Sequence, residues 1–223
     1  MVNTVSFIST GQSPRDDIMY DIVRHLSPQI EIRECGALDN LTIEQIATDL
    51  APKEGEASTT ARVRDMSMMV FSYEKVIQLM QQKIDEEIAA GSSMIVILCT
   101  SKFPPFKSSV PIIELYDLMH RMVPSLMGNN KIGALFPFDE YAKEMGESWE
   151  DVGVPVVYKT VPSKDANKQE YIDYFRNAGV EMIVMDCIGY SYATKKFYSE
   201  QLNIPIIHPR SLLVSTIHDL LNI

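Results

Sequence analysis

Two cysteines are the residues best placed to do chemistry. Cys99 closes the apolar run that starts at Met94, and Cys187 closes the run Glu181–Cys187. Runs of this kind predict central strands of a parallel sheet, covered on both faces. Ligands of such sheets bind beyond the carboxyl ends of the strands. A thiol there meets unpaired backbone N–H groups, which lower its pKa and also bind carboxylates. If two lobes carry Cys99 and Cys187 and face each other, the thiols stand on opposite faces of one bound molecule. One thiolate then removes a proton from a carbon beside a carboxylate, and the other thiol returns one from the far side. Either cysteine alone would read as a small core hydrophobe. The matching placement of the two favours function. Cys35, set against Gly36-Ala37-Leu38, is expected to be structural.

Other polar residues gather at the strand ends. Thr10-Gly11-Gln12-Ser13-Pro14-Arg15 follows the first strand. Gln12 and Ser13 are candidate substrate contacts there, and the Arg15 guanidinium could clamp a carboxylate at two points. Thr100 and Ser101 follow Cys99, and Gly189, Tyr190 and Ser191 follow Cys187. Tyr190 could donate to a substrate oxygen, whereas Ser191 sits where a helix N-cap belongs. Arg62 and Arg64 flank Val63 and should share one strand face, with Arg62 preferred for the ligand. Glu56 is read as a base or an arginine partner, and His208 and Arg210 after the last strand could reach the cleft. Asp186 points to the opposite face from Cys187. The methionines 66, 68 and 69 are expected in the core, and Trp149 has no assigned role.

These residues need elements to hold them. A 223-residue chain that is 46% hydrophobic can bury a real core, which excludes disorder. Its net charge of −10 makes nucleic acid and anionic membrane poor partners. No basic n-region precedes an apolar stretch, and no apolar run is long enough to span a bilayer, so the expected location is the cytoplasm. Three dispersed cysteines make neither a disulfide framework nor a metal site. Strands are expected at 2–10, 30–38, 94–99, 131–136, 154–160, 181–187 and 204–207. The stretch 59–71 reads as a hairpin with its turn at Asp65-Met66. Helices are expected over 14–26, after the capping box Thr42/Gln45, over 73–90 behind Ser72, and over 113–127, 139–148, 167–178, 191–201 and 211–221. Strand and helix alternate, so the fold class is α/β with mostly parallel sheets in two Rossmann-like lobes. The break falls near Gly128-Asn129-Asn130. The first lobe is expected to take residues 1–127 with the returning segment 208–223, and the second 128–207.

Taken in order, Gly11-Gln12-Ser13-Pro14-Arg15, Gly36-Ala37-Leu38-Asp39, Gly55-Glu56, Thr60-Ala61-Arg62-Val63-Arg64-Asp65, Leu98-Cys99-Thr100 and Met185-Asp186-Cys187-Ile188-Gly189-Tyr190 resemble the AroM family, a relative of the aspartate/glutamate and hydantoin racemases. The resemblance implies chemistry without a cofactor, in a cleft between two α/β lobes, with Cys99 and Cys187 as paired acid and base. It departs from the racemases in having Thr100-Ser101 where they carry Asn-Thr, and Gln12 or Ser13 where they carry Asp or Ser.

The first functional expectation is therefore a racemase or isomerase of a small carboxylate such as an amino acid, hydantoin or dicarboxylate. A related version is a decarboxylase or cis–trans isomerase with one cysteine as nucleophile. The second is a non-catalytic sensor that closes on a small anion. A plain interaction protein ranks last. A homodimer is an open expectation.

Overall fold

The computed structural model describes residues 3–223, with Glu144 by its backbone alone. Val2, the expected start of the first strand, lies outside them. Contacts between Cα atoms divide the chain into two units. The first runs to Asp16 and resumes over Ser27–Glu114; the second is Asp17–Leu26 with Leu115–Ile223.

In the first unit, β1 (Asn3–Ser9), β2 (Ile30–Gly36), β5 (Met94–Ile97) and β6 (Ile112–Glu114) form one sheet in the order β2-β1-β5-β6, every pairing parallel. Between them come α2 (Ile43–Asp49), an antiparallel hairpin of β3 (Ser58–Arg62) and β4 (Met68–Ser72), and α3 (Tyr73–Ala89). The sequence capping box is present: Thr42 accepts from the Gln45 N–H, and Gln45 returns a bond to the Thr42 N–H. Ser72 caps α3 by accepting from the Lys75 N–H. Val76, Met80 and Ile84, at helical spacing on α3, pack on Ile8, Ile95 and Ile97. Each such side chain contributes about 1.5–3 kcal/mol by leaving water.

In the second unit, α4 (Leu115–Met127), β7 (Ile132–Phe136), α5 (Asp139–Asp151), β8 (Val156–Thr160), α6 (Gln169–Ala178), β9 (Met182–Met185), α7 (Tyr192–Leu202), β10 (Ile206–Ile207) and α8 (Pro209–Leu221) follow in turn. The chain segment of α1 (Asp16–Val23) belongs here almost entirely. The sheet order is β10-β9-β7-β8, again all parallel. Numbered from the start of each half, with the hairpin set aside, both sheets read second-first-third-fourth. The two halves therefore repeat one topology without evident sequence repetition.

Several boundaries differ from expectation. α4 and α8 were expected with the first lobe, but they pack within the second unit: Tyr116, Met119, Val123 and Met127 are buried against Ile132, Ala134 and Trp149. Ile112–Glu114 is a strand where a helix start was expected. It is an edge strand of three residues, too short to show any period. α1 begins at Asp16 rather than at residue 14, and the Ser13 hydroxyl just before it is bonded to Asp39. Met66 and Met68 are exposed and only Met69 packs inward. On β4 the core face belongs to Met69 and Phe71, so Met68 must point out.

Candidate active site

Each unit places a thiol at the point where its strand order reverses, between the first and third strands. Ligands of open α/β sheets bind beside such points. Cys99 lies two residues beyond β5, and Cys187 two residues beyond β9, rather than within the strands. The local geometry matches in both. Leu98 donates its N–H to the Ile8 carbonyl of β1 at 2.9 Å, and Asp186 donates to the Leu135 carbonyl of β7 at 3.0 Å. One residue on, each sulfur accepts a backbone N–H from two positions ahead: Ser101 N–H to Cys99 Sγ at 3.4 Å, and Gly189 N–H to Cys187 Sγ at 3.3 Å. Neither thiol is in a disulfide, and both are partly exposed.

Burial raises the Cys99 pKa. The Ser101 hydroxyl, the N–H groups of Ser101 and Thr100, and the charge of Arg15 pull it back in part. Cys99 therefore rests as a thiol holding its proton. Cys35 is buried more deeply in the first core, and desolvation pushes it up to about 12. That fits the structural role expected for it.

The loop after β1 is locked in place by its own polar groups. Gln12 is buried; its amide nitrogen donates to Leu38 O at 3.1 Å and Leu41 O at 2.9 Å, and its oxygen accepts from the Arg64 N–H at 2.9 Å. Asp39 accepts from the Ser13 N–H, the Ser13 hydroxyl and the Gly36 N–H, each at 2.7 Å. The loop sits so close to the end of β2 that a Cβ on Gly36 would lie 2.4 Å from Gly11 O. Of the two expected substrate contacts, Gln12 thus holds backbone here, and the Ser13 hydroxyl goes to the Asp39 carboxylate. Their amide and hydroxyl groups are already engaged.

A comparison with protein-family models matches residues 5–221 to the model described as AroM protein. The chain belongs to the AroM family. A search of curated proteins finds no match. Among solved structures, the AroM chain is similar to the maleate isomerase of Pseudomonas putida S16, with a TM-score of 0.61 at 12% identity over 100% of this chain and 94% of that one. It is similar also to the allantoin racemase of Klebsiella pneumoniae, with a TM-score of 0.59 at 14% identity over 99% and 88%. A third is an aspartate racemase homologue of Pyrococcus horikoshii OT3, with a TM-score of 0.57 at 9% identity over 99% of both chains. At these identities the likeness establishes the fold.

The remaining expected residues of the AroM chain divide clearly. Arg15, nine-tenths buried, is near enough to Cys99 for its charge to act on the thiol, and its backbone N–H is bonded to Glu34. Thr100 and Ser101 stay beside Cys99. Others have partners within the protein. Arg62 closes the hairpin turn through Met66 O at 2.9 Å, while Arg64 reaches Asp39 O at 3.3 Å. Glu56 accepts from the Ser72 hydroxyl and, at 2.8 Å, from the Lys53 N–H, whose bond holds its pKa below the usual range. Tyr190 is fully buried and donates to Val161 O at 2.7 Å; burial pushes its phenol well up. Ser191 is the N-cap of α7, accepting from Thr194 N–H at 3.2 Å. Arg210 and His208 are buried beneath the Cys187 loop. Gly189 remains at the site: a Cβ there would lie 3.3 Å from Cys187 Sγ and 3.5 Å from Ser163 Oγ.

Three neighbours escaped sequence reasoning. Ser163, on a 3-10 turn over Ser163–Asp165, brings its hydroxyl to the space over Gly189 beside Cys187. No periodicity marks so short a turn. Asp39 had its signal in the Gly36-Ala37-Leu38-Asp39 motif, but only the fold shows what it holds. Trp149 is fully buried and donates its indole N–H to Asp186 Oδ2 at 2.9 Å. It also stacks on His120, which stacks on Tyr116. Among the described residues no group of three or more His, Cys, Asp and Glu side chains could hold a metal ion, and no helix is long and apolar enough to cross a membrane.

Proposed function

We propose that this AroM protein is a racemase or isomerase of a small carboxylate, working without a cofactor, with Cys99 and Cys187 as its acid and base. The observation that carries the reading is the equivalence of the two thiols: each follows the third strand of its half by two residues, and each accepts an N–H from two positions on. In the proposed reaction one thiolate takes the proton from the carbon beside the carboxylate, and the second thiol delivers its own to that carbon. Cys99, with its raised pKa, enters the cycle as the proton donor. Arg15, beside Cys99, is the cation suited to the substrate carboxylate, because a guanidinium pairs with it through two parallel bonds. The maleate isomerase and racemases that share the fold support this class of reaction. The cytoplasm, which keeps thiols reduced, is the compartment it requires.

The test is solvent-deuterium exchange at the α carbon, followed by NMR across amino acids, hydantoins and dicarboxylates. Exchange that needs both Cys99 and Cys187 supports the proposal. Turnover with a trapped covalent adduct on one thiol would replace it by the nucleophilic isomerase. Saturable binding with no exchange and no turnover would replace it by a sensor.

A further inference from the structure

We propose that Arg210 is a positioning residue for the Cys187 thiol, acting through the backbone of Ile188 and Gly189. Each nitrogen of its guanidinium is occupied. Nε donates to Ile188 O at 2.7 Å, Nη2 to Gly189 O at 3.0 Å, and Nη1 to Asp21 Oδ2 at 2.8 Å. The side chain is 2% exposed, so it offers no fork to a ligand. What it offers is direction. The cis peptide among the described residues is Ser13–Pro14, so the 188–189 and 189–190 peptides are trans. In a trans peptide the C=O and the following N–H point in opposite directions. Holding Ile188 O toward Arg210 therefore turns the Gly189 N–H away from Arg210, and that N–H is the donor to Cys187 Sγ at 3.3 Å. Holding Gly189 O does the same for Tyr190, whose N–H goes to Cys187 O at 3.3 Å. His208 secures the next carbonyl, Tyr190 O, at 2.9 Å. Three consecutive carbonyls are thus held by Arg210 and His208, and a thiolate at Cys187 meets the Gly189 N–H rather than the Ile188 carbonyl oxygen.

Asp21 anchors the arrangement from the chain segment of α1. It accepts from Arg210 and, at 3.3 Å, from the Tyr192 N–H. Lysine could not replace Arg210: it carries a charge but lacks the planar set of donors that reaches two carbonyls and a carboxylate together. Arg210 from α8 and Tyr190 from the same loop lie within charge range of Cys187, and the Ser163 hydroxyl of the 3-10 turn lies near the same space over Gly189.

The inference takes Cys187 to be the working thiol of the function proposed above, but its test needs no substrate. In a C35A/C99S background Cys187 is the sole cysteine. The rate of its alkylation by iodoacetamide, followed against pH, reports the thiolate pKa separately from access, which sets the plateau at high pH. R210M is expected to raise that pKa by about one unit, a tenfold smaller thiolate fraction at pH 7. R210K is expected to raise it by about half a unit or more, a roughly threefold smaller thiolate fraction, because charge without the fork leaves the peptide free to turn. Thermal melts establish that each variant is folded. An unchanged pKa in R210K overturns the proposal, even where R210M shifts, since charge alone would then explain the effect. An unchanged pKa in folded R210M overturns it too. If R210M does not fold, R210K decides. A positive result stands whether or not the chain proves to be a racemase.

Discussion

Cys99 and Cys187 occupy the same position in two sheets of identical strand order, each two residues past the third strand and each accepting an N–H from the residue two ahead. Their surroundings differ. Cys99 has Ser101 and Arg15 beside it, whereas Cys187 has the backbone of Gly189 held from below by Arg210.

Replacing either sulfur should remove the reaction and spare the fold. C99S and C187S are each expected to lower kcat by at least about 10²-fold, the usual worth of a positioned acid or base. Both residues are partly exposed, so the melting temperature should move little. Exchange kinetics with a matched thermal melt check this; full activity in either variant would end the two-thiol scheme.

Alkylation should discriminate among the three cysteines. Desolvation holds the Cys35 pKa at about 12, and its side chain is buried, so the native protein should leave it unmodified at pH 8. Cys99 and Cys187, both partly exposed, should react before it. Peptide mass mapping after brief iodoacetamide treatment reads the order directly. Rapid native modification of Cys35 would contradict its place in the core.

The stability of the second unit should fall in mild acid. Burial, aided by Arg210 and Lys195, lowers the His208 pKa to about 4 from 6.5. Between those values the unfolded chain binds the proton and the folded one does not. The stabilisation is therefore complete above pH 6.5 and lost progressively as pH falls toward 4, amounting to about 3 kcal/mol. Urea melts across this range should show the slope, and H208N should flatten it.

Adding one methyl group at Gly36 should loosen the loop after β1. A Cβ there would sit 2.4 Å from Gly11 O and 2.7 Å from Ser13 N, both backbone atoms that cannot rotate aside. G36A is expected to cost about 1–3 kcal/mol, the range for overpacking. Calorimetry would register it as a drop of several degrees.

Trp149→Phe keeps most of the ring and removes the N–H given to Asp186 Oδ2. Because both residues are fully buried, losing that donor should cost about 1–3 kcal/mol. A denaturant midpoint equal to that of the parent would show the bond to be dispensable.

The sequence by itself determined a great deal. The apolar runs before Cys99 and Cys187, the capping box of Thr42 and Gln45 and the cap at Ser72 all act over a few residues, so their signals are local and correct. The alternation of strand and helix sufficed for two parallel sheets, and the spaced motifs sufficed for the family. Only the tertiary structure decided what each polar side chain does. Gln12, Ser13, Tyr190 and Arg210 look like ligand contacts because they stand at strand ends. Yet their partners, Leu38, Asp39, Val161 and Ile188, lie some 22 to 29 residues away in the chain. A hydrogen bond across such a distance is set by which strands become neighbours, not by the residues flanking the donor. The same is true of the two units, where Tyr116, Met119 and Val123 joined the second core because their apolar faces found Trp149 and Ile132 there.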